Sequence, residues 1–525
     1  MNVPPTFAMP MIKDFVPKSL RPWIYVCIAL CFQVSGARYL GALNELIGAN
    51  AEMREDVLMC LYCNLAGMAI WFPMLFRMKF RFTNKTLLTG ASVVVIVTNL
   101  LIGYVTWLPL LWLLCLLCLL EGIAKIQGTF ECMSNIQLWM TPKRDMTVFF
   151  PLLHVILLTG INSQDYLAAH FTVWGDWRLM HWLVIGLHLA VLTFLCTCVR
   201  HFRIMKLPLY GIDWTGMVLW AALLVQMAYL LDYADWYSWF NHDTMWYLTG
   251  SICITLALIM HRMMHVRHPY INPRVFSGFR YVKPIFLLIC FVECLFGTEH
   301  ILEEIFMEEV VHYSTITNAG LCLPVWIGNM CGCVFSLVWL QKVMRMSFIR
   351  LGIIGSIALL CYLAMMYHIV SPDIGIHMLY LPLFCRGFAY TTLSIVFMAS
   401  LNQVMDFNHF FQGLSVFNMI HMVIGGCLGC AVYAKLFGWY VADGFARYLA
   451  PALWMHSAAP LDADALLPNM LLLGIKAVYG WACYGCIALI LGFLLFDSPI
   501  RRHRSYMLPW HFVGKMLKRY YSLEK

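Results

Sequence analysis

The sequence predicts an all-α membrane protein that crosses the bilayer many times. Of its 525 residues, 62% are hydrophobic and only 12% are charged, whereas soluble proteins carry about 25% charged residues. Apolar stretches of about twenty residues, the length that crosses a bilayer, recur along the whole chain. The basic residues lie mainly between these stretches, so the net charge of +8 does not indicate a nucleic-acid partner.

Fourteen of these stretches are long enough to be transmembrane spans, and we number them in chain order. They cover about residues 23–46, 55–76, 86–105, 109–138, 146–169, 178–199, 211–231, 244–263, 282–307, 315–341, 349–369, 374–402, 410–438 and 470–496. Most connections between them are short. The segment 439–469 is an exception, and its prolines and aspartates predict a loop.

The distribution of Lys and Arg predicts which ends of the spans face the cytoplasm. With both termini cytoplasmic, 27 of the 35 basic residues lie on the cytoplasmic side, including those of the tail 501–525. The opposite side holds mainly acidic residues. This asymmetry follows the positive-inside rule. We therefore predict two cytoplasmic termini and a multi-pass protein of the cytoplasmic (inner) membrane.

Several charged residues lie well inside the bilayer in this prediction, on five of the spans. They are Arg38, Glu121, Lys125, Glu131, Asp165, Glu293, Glu299 and Arg386. Charges at bilayer depth are costly, so they normally face the interior of a helix bundle or a water-filled path. An anchor or a scaffold has no need of charges on five spans, whereas a solute path does.

The fourth span carries the most distinctive of these groups. Glu121 and Lys125 are spaced i, i+4 and so lie on one face of a helix, with Gly128 close to the same stripe. Two interpretations stay open at this point: a permanent ion pair between helices, or part of a polar path through the membrane. Glu293 lies at a similar depth in the ninth span.

A buried carboxylate can be neutral in one state and charged in another, as a proton-coupled carrier requires. Glu121 and Glu293 are the best placed for this role, with Asp165 next. Lys125 or Arg386 could pair with either glutamate. Arg38 and Arg386 lie in opposite halves of the chain, where arginine is also suited to an anionic solute.

Several short motifs, in a fixed order, resemble those of a known transporter family. They include Gly211–Gly216 (GIDWTG), Asn318–Gly320 (NAG), Arg386–Ala389 (RGFA) and Ile126–Gly128 (IQG). Together they resemble the fourteen-helix drug:proton antiporter branch of the major facilitator superfamily, the EmrB/QacA-like exporters. The fifth-span antiporter motif of that branch falls on Asn162–Leu167 and is absent there.

The resemblance implies a major facilitator fold, with two six-helix bundles and two extra central helices. The corresponding regions are 1–200, 201–274, 275–500 with the outer loop 439–469, and the basic tail 501–525. It also implies proton-coupled efflux of amphiphilic small molecules or drugs, and places Gln127 in the substrate path. Such exporters often work with a periplasmic adaptor and an outer-membrane channel, for which the segment 439–469 would be the contact.

Two other functions stay open from the sequence. One is a membrane enzyme acting on lipid-linked substrates, which would need acids or histidines clustered at one membrane face. The other is a transporter-like protein without coupling, because the fifth-span motif is missing. We favour a transporter over an enzyme, since no HExxH, nucleotide-binding loop or nucleophile motif is present. We predict no cofactor and no metal site, and interpret His261, His265 and His268 as a basic helix end.

Overall fold

The computed structural model describes residues 12–36, 39–104, 111–141, 145–200, 209, 211–279, 281–343, 348–455 and 463–496. All regular elements within these ranges are helical, apart from one isolated bridge between Ile12 and Val199. The helices are α1 Arg21–Val34, α2 Leu43–Asn50, α3 Arg54–Trp71, α4 Leu75–Arg81, α5 Asn84–Tyr104, α6 Leu111–Met140, α7 Met146–Trp174, α8 Arg178–Cys198, α9 Trp214–Asp232, α10 Asp243–His265, α11 Arg274–Ser277, α12 Val282–Phe296, α13 Thr315–Gly320, α14 Cys322–Val338, α15 Phe348–Ile369, α16 Tyr380–Val404, α17 Phe407–Asn418, α18 Gly425–Met455 and α19 Ala463–Phe496.

The all-α class and the many membrane-crossing helices are confirmed. Within the described ranges, thirteen helices are long and apolar enough to cross a membrane, and Arg21–Val34 is a shorter apolar helix. That shorter helix occupies the predicted first span. The total of fourteen spans and the cytoplasmic position of the termini stay predictions.

The first span differs from the continuous helix that we predicted over residues 23–46. Helix α1 ends at Val34, and Ser35 is extended, with φ −71° and ψ 137°. The chain then re-enters helix through the turn Leu40–Ala42 and α2. The sequence Ser35-Gly36 favours this break, because serine competes for backbone hydrogen bonds and glycine weakens a helix.

The predicted outer loop 439–469 is also wrong in part. Helix α18 continues to Met455, α19 begins at Ala463, and residues 456–462 lie outside the described ranges. Asp443 and Arg447 are spaced i, i+4 and form an ion pair of 2.8 Å, which supports the helix. The aspartates that suggested a loop are therefore compatible with an exposed helical extension.

Glycines allow the second and fourth spans of each half to pack closely. We call spans one to six the first half and spans nine to fourteen the second half. Helix α6 packs on α3 with Gly122 against the backbone oxygen of Asn64, and α16 packs on α14 with Gly387 against that of Val325. A side chain at either glycine would overlap backbone, which cannot move aside. Small residues are the usual means of such close approach in membranes.

We expect Gly122→Ala and Gly387→Ala each to destabilise the protein by about 1–3 kcal/mol, the usual cost of overpacking a core. The measurement is the thermal aggregation midpoint of the purified protein in detergent. Gly90→Ala and Gly492→Ala are matched helical controls, because nothing lies within 4 Å of a Cβ at either site. Equal midpoints for all four variants would show that these helix contacts are looser than described.

The two extra helices pack beside the contact between the two halves. Helix α9 packs against α10, against α3 of the first half and against α18 of the second. Tyr233, just after α9, donates a hydrogen bond to Asp56 of α3. At the other end, Asp213 caps α9 and forms an ion pair of 2.6 Å with Arg262 of α10. The division into two six-helix bundles with two inserted helices stays a prediction.

Candidate functional site

The first span of each half is interrupted, and a basic side chain from the fourth span reaches the interruption. In the first half, the Lys125 ammonium donates a hydrogen bond of 2.6 Å to the backbone oxygen of Ser35, at the C-terminal end of α1. Ending the helix leaves carbonyl groups without intrahelical partners, and the ammonium satisfies one of them. Lys125 is only 5% exposed, so this bond is made away from bulk solvent.

The equivalent interruption in the second half follows α12. The chain continues from Phe296 through Gly297 into two π-helical turns, Glu299–Glu303 and Phe306–Val310. Turns of this type are rare and frequently occur at functional sites. Glu299 and Glu303 lie at the two ends of the first of these turns, and both contact one cation.

That cation is Arg386 of α16. It forms an ion pair with Glu299 at 3.3 Å and a second, shorter one with Glu303. Tyr362 of α15 donates a hydrogen bond to the other oxygen of Glu303. Arg386 and Glu303 are 8% and 6% exposed, so the pair is buried and its charges are matched by direct partners.

A cavity of about 1090 Å³ lies between the two interruptions. Six charged or titratable side chains from four helices and two π-helical turns line it between the interruptions. They are Lys125, Asp165, Glu293, Glu299, Arg386 and His421. Among the described residues that line the whole cavity, ten are Asp or Glu and six are Lys or Arg. The lining therefore carries an excess of carboxylates, which favours cations or protons over anions.

Glu293 is paired with a histidine that the sequence analysis did not select. His421 Nδ1 lies 2.7 Å from Glu293 Oε1, and the His421 Nε2 atom lies 3.3 Å from the Tyr390 hydroxyl. His421 is part of a third π-helical turn, Met419–Ile424, and Gly425 beside it leaves room for Glu293. A lone histidine in the apolar thirteenth span was the available signal, and only the fold shows its partner.

Glu121 lies outside this cavity. It is fully buried, and its Oε1 atom accepts a hydrogen bond of 2.8 Å from Asn99 of α5. Although Glu121 and Lys125 share a helix face, no ion pair joins them within the described residues, because Lys125 extends to Ser35 instead. The sequence shows that Glu121 and Lys125 share a helix face. It does not show that the broken first span supplies a second acceptor for Lys125, the backbone oxygen of Ser35.

The remaining predicted residues separate into cavity and packing positions. Gln127 accepts a hydrogen bond of 2.8 Å from Trp71 and donates one of 3.2 Å to Glu131, which also accepts one of 2.8 Å from Asn84. These bonds connect α3, α5 and α6, and Glu131 also lines the cavity. Asp165 of α7 lines the cavity. Arg38 lies outside the described ranges.

Two contacts between the halves lie across the cavity, one toward each membrane face. At the end predicted to face outward, Arg54 of the first half pairs with Glu304 of the second. At the end predicted to face the cytoplasm, the rings of Phe76 and Phe411 meet at 4.2 Å between centroids, with Phe130 beside both. The polar contact and the aromatic cluster are the candidate closures of the two ends.

Helical spans from both halves surround the central cavity, and solved transporter structures share this arrangement. The chain is similar to a point mutant of the nucleoside transporter NupG, with TM-score 0.56, 12% identity and coverage of 91% of this chain and 100% of that one. It is also similar to NupG itself, with TM-score 0.54, 13% identity and coverage of 91% and 98%.

A third similar structure is the human organic anion transporter MFSD10 (TETRAN), with TM-score 0.53, 10% identity and coverage of 90% and 100%. These neighbours are transporters of the major facilitator superfamily, and the likeness shows that fold for this chain. No protein-family model and no curated protein matches the sequence.

Proposed function

We propose that this protein is a proton-coupled secondary transporter that exports amphiphilic small molecules by alternating access. The observation that carries the proposal is the cavity between two interrupted spans, with titratable side chains from both halves around its middle. Interrupted helices at the contact between repeats are a recurrent feature of transporter binding sites. The shared fold supports the transporter class, and the motif resemblance supports the direction.

The charges of the cavity favour a cationic amphiphile. Arg386, which could have served an anion, is already matched by Glu299 and Glu303. Within the described residues, the ion-pair partner of Glu293 is His421, which is charged only when it is protonated. Glu293 can therefore exchange this partner for the cation of a solute. Apolar side chains such as Phe296 and Leu153 also line the cavity and can accept the hydrophobic part of the solute.

The Glu293–His421 pair provides the coupling step. When His421 carries a proton, its imidazolium pairs with the Glu293 carboxylate. When a cationic solute pairs with that carboxylate instead, the imidazolium loses its partner and releases its proton to water. Proton and solute then compete for one carboxylate, which is the requirement for exchange.

Alternating access requires the closures at the two ends to open in turn. The Arg54–Glu304 pair would break in one state, and the cluster of Phe76, Phe130 and Phe411 would separate in the other. Each closure joins the first half to the second. Relative rocking of the halves around the central site can therefore open one while the other stays closed.

Inverted membrane vesicles provide the test of this function. We expect an acid-inside gradient to drive uptake of hydrophobic cations, and a protonophore to remove that uptake. Amphiphilic anions should not be taken up under the same conditions. Vesicles with the Glu293→Gln variant at equal abundance are the matched control. Uptake of no compound, or equal uptake with and without the gradient, would contradict the proposal.

The resemblance also supports a periplasmic adaptor as a partner, with an outer-membrane channel beyond it. The helical extension of α18 from Trp439 to Met455 is the proposed contact, and the Arg447 side chain on it is 79% exposed. A photo-cross-linking residue at position 447 tests this directly. Failure to capture an adaptor in cells that express the full system would count against the contact.

A further inference from the structure

A second cavity, of about 270 Å³, lies between α5 and α8 in the first half. It shares no lining residue with the central cavity. It lies where the C-terminal end of α5, at Tyr104, meets the N-terminal end of α8, at Arg178. The topology predicted from the basic residues places these two helix ends on the outer side of the membrane.

The mouth of this side cavity carries exposed charged side chains, and its floor is polar. Asp176 and Arg178 at the mouth have side chains that are 48% and 45% exposed. The floor is formed by His181 and Asn99, which are 3% and 0% exposed. A passage that leads from exposed charges to buried polar groups is the kind of site that holds water.

The floor connects to Glu121 by two hydrogen bonds. His181 Nδ1 lies 2.9 Å from Asn99 Oδ1, and Asn99 Nδ2 donates to Glu121 Oε1 at 2.8 Å. Tyr39 donates a further bond of 3.3 Å to Asn99 Oδ1, which fixes the orientation of the amide. The other carboxyl oxygen, Glu121 Oε2, is buried and has no hydrogen-bond partner within the described residues.

The groups that face Glu121 come from several elements. They are Tyr39 after α1, Thr98 and Asn99 of α5, Lys125 of its own helix and, behind Asn99, His181 of α8. Of these, Lys125 is the one Lys or Arg, and its side-chain nitrogen is hydrogen-bonded to Ser35. Among the described residues, Glu121 is therefore a buried acid without an ion-pair partner, and it is separated from the central cavity.

We infer that the side cavity is a water-filled access route through which Glu121 exchanges a proton with the outer solution. Glu121 does not line the cavity, so the His181 side chain must move aside before water reaches Glu121 Oε2. A hydronium ion then transfers its proton to Oε2 and leaves as water, and the reverse step returns the proton. Oε1 keeps its bond from Asn99 throughout. This inference deepens the proposed function, because it adds a proton site in the first half, opposite the Glu293–His421 pair.

The test uses purified protein reconstituted in right-side-out vesicles, without any substrate. The readout is the infrared band of the protonated Glu121 carboxyl, identified as the band that disappears in Glu121→Gln. A step in the outer pH should change this band, and a step in the inner pH should not. The readout needs no transport. The infrared test can therefore support the access route even if the vesicle assay contradicts the proposed transport function, and the vesicle assay can support that function even if the infrared test fails.

Gly103→Leu tests the route itself. A Cβ at Gly103 would lie 3.6 Å from the His181 Cβ, an ordinary contact, so the larger side chain can occupy the cavity without displacing backbone. We expect the response to the outer pH to slow by at least roughly tenfold, equivalent to an added barrier of about 1.4 kcal/mol. Gly90→Leu on the same helix is the control, because nothing lies within 4 Å of its Cβ.

If Gly103→Leu does not fold, Ile185→Trp fills the same cavity from α8. A slower response of the Glu121 band to the outer pH in either filled variant, with a normal response in Gly90→Leu, would support the inference. An unchanged rate in a folded, filled variant would overturn it. A carboxyl that follows only the inner pH, or that never changes its protonation between pH 4 and pH 10, would overturn it as well.

Discussion

Arg386→Leu should give little or no folded protein. The change leaves Glu299 and Glu303 side by side at the second interruption without their cation. Removing one partner of a buried ion pair costs about 3–5 kcal/mol, a large part of the stability of an ordinary protein. The measurements are the yield of monodisperse protein after detergent extraction and its thermal aggregation midpoint.

Three further variants separate charge from packing at this site. Arg386→Lys keeps the charge but cannot reach both carboxylates in the same planar geometry, so it should be intermediate. Arg386→Met with Glu303→Gln removes both members of the shorter pair, and should recover yield without recovering transport. Arg447→Leu is the matched control, since Arg447 forms an exposed pair with Asp443. A normal midpoint for Arg386→Leu would show that the buried pair is not required for folding.

Glu293→Gln and His421→Gln should both abolish proton-driven transport, but for different reasons. Glu293→Gln removes the carboxylate that pairs with the cationic solute, and should weaken solute binding by roughly 10- to 100-fold, as expected for a charge-assisted bond of about 1.5–3 kcal/mol. His421→Gln keeps the carboxylate and removes the proton carrier. It should therefore bind the solute without coupling. Both amides preserve most of the volume of the side chains that they replace.

The direction of the pH dependence follows from competition for one carboxylate. In the wild-type protein, raising the pH removes the proton from His421, frees Glu293 and strengthens binding of the cation. In His421→Gln, binding should be independent of pH over the range where imidazole titrates. Glu309→Gln, at an exposed residue of the π-helical turn Phe306–Val310, is the control and should behave as wild type. Unaltered pH dependence in His421→Gln would exclude this histidine from coupling.

The fold class could be predicted from sequence because long apolar spans and basic inner loops leave few alternatives. The interruptions could not be located in the same way. Ser35-Gly36 is a short, weak signal, and the helix break there is supported by Lys125 of another helix, which binds the freed carbonyl. The π-helical turns after α12 are likewise supported from another helix, because Arg386 of α16 forms ion pairs with Glu299 and Glu303.

Part of the candidate site could be predicted from the sequence. Charges in the middle of a span are costly and therefore rare, so Lys125, Glu293 and Arg386 stand out in the sequence as candidates for the site. A single histidine does not stand out in an apolar span as a carboxylate does, so the sequence does not indicate His421. The sequence predicts Glu121 and Glu293 as the best-placed proton sites, yet the fold places Glu121 behind the cavity wall, against Asn99.

Proton release on binding is the most direct test of the proposed exchange at Glu293 and His421. Purified wild-type protein in weakly buffered detergent solution is mixed with a cation that the vesicle assay has identified as a substrate, and the pH is recorded. The account predicts release of protons on binding to the wild-type protein, with that release lost in His421→Gln although the cation still binds. Binding to wild type without proton release, or equal release from His421→Gln, would contradict it.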